Sequence, residues 1–483
     1  MPRTPAPRLL IMRLLIVGGG GFRVPLIYRA LVARPYKGLV TELVLYDVDL
    51  SRLVAVTAVL RSMHVPGPRL PVHPTTDLPE ALAGTQMVFA AIRPGGTAGR
   101  ILDERVAQDL GLLGQETTGA GGISYALRTI PHMMALARSM KEHCPDAWLI
   151  NFTNPAGMVT EALLPVLGTR AIGICDSAGG LVHRAARAAG VTLPEGTLDG
   201  VGYYGLNHLG WLYRLESGGR DVLPALLSDP QALQSFEEGR LFPQPFLARL
   251  GALPNEYLYY YYQQDAAREA MRAMPATRGE SIHSQQQELY PRLAAAGNEA
   301  FELWEAARRS REEGYLAEAR GKDEHRDESD LAGGGYERVA LAAMRALSGS
   351  GDAQLILNTR NTLPSAGAPA APTPTTTPLA TPTAAIPGLP ADAVVELPCT
   401  VTPDGALPLA QQPPPPEQLG LLRQVKDVER LTVRAAVEGD REPAVQAFAR
   451  HPLVGSEELG AALLAGYEEA FPALGKMWRG GTR

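Results

Sequence analysis

Within the first 180 residues, short apolar runs alternate with amphipathic stretches, and the runs stop at glycines or small polar residues. Residues 13–17 are the first run; four glycines follow, and a helical pattern then spans 24–33. The second run, 42–45, leads into Tyr46-Asp47. Residues 87–92, 148–152 and 171–175 are three more, with a helix predicted from about 125 to 143. Parallel neighbours need a crossover between them, and a helix is the usual one. Strands alternating with helices therefore predict an α/β fold on a Rossmann-like, doubly wound parallel sheet. Such sheets bind ligands at the carboxyl ends of their strands. Here those ends collect Gly, Asp, Asn and Cys.

From about 198 the pattern changes. Residues 201–204 and 210–215 read as antiparallel strands, and helical periodicity covers 257–274 and 284–311. The charged stretch 309–330 is expected to be a solvated helix face or a loop. Residues 364–387 hold seven prolines among 24, the rest mostly Ala and Thr, with no charge. That composition predicts a flexible, disordered insertion. A shorter proline break, 413–416, precedes helical patterns that run to 478. With 483 residues the chain exceeds one core at roughly 150 residues per domain. The organisation expected is a loose extension over 1–12, a nucleotide-binding domain over 13–197, and a mixed α+β substrate domain over 198–483.

Charge excludes one class of partner. Forty-five basic against 51 acidic residues leave −6, without the basic clusters that nucleic acid requires. No apolar stretch approaches the ~18 residues of a membrane span. The N-terminal apolar run enters the glycines without a cleavage region, so it reads as a strand rather than a signal peptide. Three widely spaced cysteines, Cys144, Cys175 and Cys399, make no disulfide framework; a reducing, cytoplasmic compartment is expected.

Gly18, Gly19, Gly20 and Gly21 sit between a strand and a helix, where glycine lets the backbone approach a pyrophosphate and the helix N-terminus supplies N–H donors. Gly18 and Gly20 fit the dinucleotide pattern, but Arg23 stands in the third glycine's place. A generic tight β–α turn would look the same. Asp47 ends the second strand, where it could accept from a ribose hydroxyl.

The densest block lies further on: GQETTGAGG (114–122), NFTNPAG (151–157), GICDSAGG (173–180) and GLNHLGW (205–211). Cys175 and His208 are a soft and a borderline ligand at two strand ends, and two protein ligands would leave positions open to substrate oxygens. Taken singly, Cys175 also reads as a small core residue and His208 as a satisfied polar one. Together with LPNEYLYYYY (253–262), these segments resemble family 4 glycoside hydrolases, the NAD- and divalent-metal-dependent phosphoglycosidases. The resemblance covers most of the chain. It implies NAD held by Gly18 to Gly21, Phe22, Asp47 and Arg52, and Mn²⁺ or another divalent ion on Cys175 and His208. It implies Tyr257 as base, with Tyr259 to Tyr262 as rival tyrosines, and Glu116 as the residue raising its basicity. Asp176 matches the general acid of the α-glycoside branch. Arg100, Asn154 and Arg278 match the positions that bind the phosphorylated sugar, and guanidinium suits phosphate through forked hydrogen bonds.

The family departs from the usual pair of carboxylates. The implied sequence is oxidation at C3 by NAD⁺, loss of the C2 proton to the base, elimination of the aglycone, water addition and return of the hydride. The expected substrate is a phosphorylated disaccharide or an aryl glucoside 6-phosphate, and a homodimer or homotetramer is the family habit. The residues after the cysteine, CDSA, match neither the CDMP of the 6-phospho-α-glucosidases nor the CNVP of the 6-phospho-β-glucosidases. The opening GGGGFRVPLI favours the β branch, Asp176 the α branch. The rival from another class is an NAD-dependent sugar dehydrogenase, which would accumulate NADH; a catalytically dead nucleotide-sensing protein is a further one.

Overall fold

The structure, a computed structural model, describes residues 12–194, 196–320, 326, 335–364 and 382–478. The N-terminal extension apart from Met12 lies outside the described residues, as does 365–381 of the proline-rich segment.

Six strands pair in parallel: β1 (Arg13–Val17), β2 (Glu42–Tyr46), β3 (Val72–Thr75), β4 (Met87–Ala90), β5 (Trp148–Asn151) and β6 (Ala171–Gly173). Their order is 3-2-1-4-5-6, the doubly wound arrangement expected. Along β1, Leu14 and Ile16 face one apolar core and Leu15 and Val17 the other, so both faces are covered. Full burial of a leucine-sized side chain contributes roughly 1.5–3 kcal/mol, which commits such a run to the sheet interior. Among these parallel strands, β3 was not foreseen. Its sequence, VHPT, has no apolar pattern and carries a proline, tolerable at the edge of the sheet.

The sheet continues without a break past residue 198. β7 (Val201–Leu206), β8 (Leu209–Ser217), β9 (Arg220–Asp221), β10 (Leu253–Pro254), β11 (Ala353–Arg360), β12 (Val394–Thr402) and β13 (Gly405–Pro408) complete 13 strands among the described residues. Antiparallel β11 docks on β6 with Asn358 opposite Gly173, and β12 joins β7 with Glu396 opposite Gly205. This brings the β7–β8 turn to the carboxyl ends of the parallel strands. Helices Leu50–Ser62, Arg278–Ala295 and Ala300–Glu313 pack together on one face; Ala120–His143 and Pro416–Glu438 pack on the other. No helix among the described residues is long and apolar enough to cross a membrane.

Two expectations need correction. The charged stretch 309–330 leaves its helix at Glu313 and runs on as turns to 320, which agrees with the loop alternative, but beyond Ser310 it is not a freely solvated face where it is described. Arg23 meets Glu312 at 3.2 Å, and Arg326 meets Glu237 at 2.9 Å. These partners come from distant segments, which is why local composition misread them. The proline-rich segment, expected to stay loose to 387, packs before it ends: Ala384 bridges Thr362, and Ala385 and Ile386 are buried.

Candidate active site

The glycine turn is built by steric exclusion. Gly18 has φ +94°, and a Cβ there would collide with the Ala91 carbonyl. A Cβ on Gly20 would stand 2.6 Å from Arg52 Cβ. Asp47 accepts from Gly20 N–H at 2.9 Å through Oδ2 and from Asp49 N–H at 3.1 Å through Oδ1, so it braces the turn. Arg52 lies 4.0 Å over the Tyr290 ring and donates to Tyr290 Oη at 2.7 Å, while Tyr290 donates to the Gly20 carbonyl at 2.8 Å. Phe22 turns its ring inward against Trp304, leaving its backbone at the turn. Helix Arg278–Ala295 thus clasps the glycine turn from the C-terminal half.

Cys175 follows β6, and His208 occupies the two-residue turn between β7 and β8. His208 has φ +64°, an uncommon conformation for a residue with a side chain. Asn207 secures the turn by accepting from Ala156 N–H at 3.0 Å and donating to Glu396 at 3.4 Å. Cys175 Sγ and His208 Nε2 stand 3.5 Å apart, and His208 Nδ1 is 3.1 Å from Thr117 Oγ1. A proton on Nδ1 would donate to Thr117 and leave the Nε2 lone pair facing the thiol. Burial pushes the imidazole down to about 4, with Glu116 opposing, so it is neutral near pH 7. Burial, then Glu396 and Asp176, push the Cys175 thiol well up. Only a cation would deprotonate such a thiol readily, and a thiolate with a neutral imidazole suits a borderline divalent ion. Among the described residues no cluster of three or more His, Cys, Asp or Glu could hold a metal. Cys175 and His208 are a candidate pair of donors, and two protein donors would leave the open positions of a catalytic site.

Tyr257 lies on the short turn Glu256–Leu258, fixed by Asn255 accepting its N–H at 3.1 Å. Its ring stacks on His208 at 3.8 Å between centroids, the ring planes nearly parallel at 9°. The rival tyrosines point elsewhere. Tyr260 donates to Glu318 at 2.6 Å, Tyr261 approaches His451 at 3.4 Å, Tyr262 accepts from Trp211 at 3.1 Å, and Tyr259 packs edge-on against Tyr260. Tyr257 Oη accepts from Tyr315 Oη at 3.0 Å. Burial and then Glu256 push the Tyr257 phenol well above its ordinary value, and the Tyr315 hydrogen bond opposes them.

Glu116 sits in the loop 114–119, whose turn is closed by Gln115 Oε1 accepting from Thr117 and Thr118 N–H at 2.6 Å each. It pairs with Arg100 at 2.7 Å and closely with Arg93. Burial alone would raise its carboxyl; Arg100 and Arg93, then Arg311 and Arg278, override that and hold it at about 2. Arg278 donates to the Gly314 carbonyl and to the Arg311 carbonyl at 2.9 Å. Asn154 is half-buried just beyond β5. Asp176 follows Cys175 and lies 3.9 Å from Arg23.

Contacts thus join Cys175, His208 and Tyr257, and His208 also reaches Thr117, the chain neighbour of the Glu116 that pairs with Arg100. Asp47, Phe22 and Arg52 gather at the glycine turn. Sequence reasoning passed over Thr117, Tyr315, Arg93 and Arg311. Thr117 and Arg93 lay inside the dense block that begins at Phe89; nothing local marks Tyr315 and Arg311.

Models of the family 4 glycosyl hydrolases match residues 13–191, and models of their C-terminal domain match 203–454. The chain belongs to family 4 of the glycosyl hydrolases. A probable 6-phospho-β-glucosidase of Bacillus subtilis (strain 168) is 28% identical over 474 residues, spanning 96% of this chain and 97% of that protein. The 6-phospho-β-glucosidase from Thermotoga maritima, in a structure with manganese, NAD⁺ and glucose 6-phosphate, superposes with TM-score 0.74 at 25% identity, over 96% of this chain and 99% of that one. A 6-phospho-α-glucosidase from gut microorganisms, in complex with NAD and Mn²⁺, gives TM-score 0.74 at 25% identity, over 97% and 99%. Homologous members of the family therefore bind NAD and Mn²⁺.

Proposed function

We propose that this chain hydrolyses 6-phospho-β-glucosides to glucose 6-phosphate and the aglycone, with NAD⁺ and Mn²⁺. The reading rests above all on the convergence of Cys175, His208 and Tyr257: a thiol and an imidazole 3.5 Å apart with a phenol stacked on that imidazole. A simple dehydrogenase needs neither the donor pair nor the tyrosine. When bound, NAD⁺ supplies a hydride acceptor and the divalent ion, held by Cys175 and His208, supplies positive charge to oxygens on adjacent sugar carbons. Tyr257 acts as the phenolate, which the hydroxyl of Tyr315 steadies by donating to it, and it becomes the neutral phenol on taking the C2 proton at Oη. On the α-linked reading below, Asp176, which matches the general acid of the α branch, would supply a proton to the departing aglycone. Glu116 stays ionised and holds Arg100, which with Asn154 and Arg278 receives the 6-phosphate. Gly18 to Gly21, Phe22, Asp47 and Arg52 receive the dinucleotide.

The β preference is supported by the B. subtilis and T. maritima relatives. Asp176 and the likeness to the gut 6-phospho-α-glucosidase favour the second reading, α-linked substrates. Assays with p-nitrophenyl α- and β-glucoside 6-phosphates, NAD⁺ and Mn²⁺ separate them. Faster release from the β-substrate is expected. Faster release from the α-substrate would establish the second reading, and NADH accumulating with product would return the dehydrogenase.

A further inference from the structure

Arg311 lies in the last turn of helix Ala300–Glu313. Its guanidinium stands 5.0 Å over the ring of Phe22, and its backbone carbonyl accepts from Arg278. Burial, then Arg23, Arg278 and Arg100, push its pKa down to about 9, with only Glu312 opposing among the principal influences. Those three arginines have partners of their own. Arg23 meets Glu312 at 3.2 Å and Asp176 at 3.9 Å; Arg100 meets Glu104 at 2.8 Å and Glu116 at 2.7 Å. Arg278 spends donors on the carbonyls of Gly314 and Arg311.

Arg311 is the exception: among the described residues, no carboxylate or carbonyl accepts from its guanidinium. Glu116, which feels its charge, is already shared between Arg100 and Arg93. Leaving a half-buried cation unpaired among like charges costs free energy in the ligand-free protein. An arriving dianion would recover that cost, because a desolvated guanidinium binds phosphate through charged, forked hydrogen bonds.

We infer that Arg311 binds the 6-phosphate of the sugar beside Arg278 and Arg100, supplying the positive charge those two have already committed to protein partners. The inference rests on the phosphoglycosidase reading.

Calorimetric titration of the NAD⁺- and Mn²⁺-loaded protein with glucose 6-phosphate and with glucose tests it, in wild type, Arg311→Gln and Arg311→Lys. The glutamine variant should lose at least tenfold in affinity for glucose 6-phosphate, the lysine variant less, and neither should change for glucose. NAD⁺ affinity should stay within twofold, and the thermal midpoint of Arg311→Gln should not fall, because an unpaired cation has been removed. A glutamine variant that keeps the wild-type preference for the phosphorylated sugar overturns the inference. So does a loss confined to NAD⁺, which would give the guanidinium to the cofactor's pyrophosphate. Wild-type protein with no preference for glucose 6-phosphate over glucose would instead remove the phosphoglycosidase reading itself.

Discussion

Tyr257 is a phenol taken out of water and set beside the buried carboxyl of Glu256, and both circumstances disfavour its ionised form. What opposes them is local: the hydrogen bond from Tyr315 and the cation that Cys175 and His208 are suited to hold, one ring-stack away. Removing the hydroxyl leaves the stacking surface. Tyr257→Phe should therefore lower kcat by about 10²- to 10⁴-fold, the usual span for a lost general base, with affinity for glucose 6-phosphate nearly unchanged. A variant with near-normal kcat would exclude Tyr257 as the base. Cys175→Ser and His208→Ala each take one donor from the proposed pair. Mn²⁺ titration followed by electron paramagnetic resonance should show affinity falling at least tenfold in each, with NAD⁺ binding within twofold of wild type. Unchanged Mn²⁺ affinity in either variant would mean that the residue is no ligand.

Elements differed in how much they disclosed to sequence. The buried parallel strands β1, β2, β4, β5 and β6 announced themselves as apolar runs, and the glycine turn and strand-end motifs followed from them; β11 and β12, also largely buried, did not. Helix Ala120–His143 begins five residues before the 125 expected, because Gly121 and Gly122 resemble a loop. They are glycines because a Cβ on either would collide with the backbone of residues 115–117. The periodicity over 284–311 spans two helices, Arg278–Ala295 and Ala300–Glu313, parted at Gly297 with φ +56°. Tyr315 and Arg311 gain their meaning from Tyr257 and Phe22, tens to hundreds of residues away, which no local pattern encodes.

The turn after helix Arg441–Arg450 carries its own pH dependence. Burial holds His451 at about 3, and its Nδ1 accepts from Leu453 N–H at 3.1 Å. The folded pKa lies below the unfolded value near 6.5, so the unfolded chain binds the extra proton. Stability is complete above 6.5 and declines as pH falls towards 3, by up to about 1.4 kcal/mol per pH unit from this group. His451→Asn keeps an acceptor but not the titration. Denaturant unfolding at pH 7, 6 and 5 should give the variant a shallower acid limb than wild type; parallel curves would contradict the assignment. The proline-rich segment makes a different prediction. Leu363 N–H donates to the Thr383 carbonyl at 2.9 Å, so the chain leaves and re-enters side by side. Replacing 365–381 with a short Gly-Ser turn, which spares Ala385 and Ile386, should leave activity unchanged and alter stability by roughly 1 kcal/mol or less. A large fall in the unfolding midpoint would show that the segment packs against the protein.

At the scale of the molecule, one sheet links the glycine turn, the cysteine strand end and the histidine turn. The proposed nucleotide residues and donor pair are thus fixed to the same support. The proposed mechanism requires NAD⁺ without consuming it and passes the C2 proton through Tyr257. Hydrolysis of a p-nitrophenyl glucoside 6-phosphate in D₂O, with NAD⁺ and Mn²⁺, tests both at once. The account predicts deuterium at C2 of the released glucose 6-phosphate and no net rise in NADH absorbance. Product with hydrogen retained at C2 would mean direct displacement at the anomeric carbon and would contradict it.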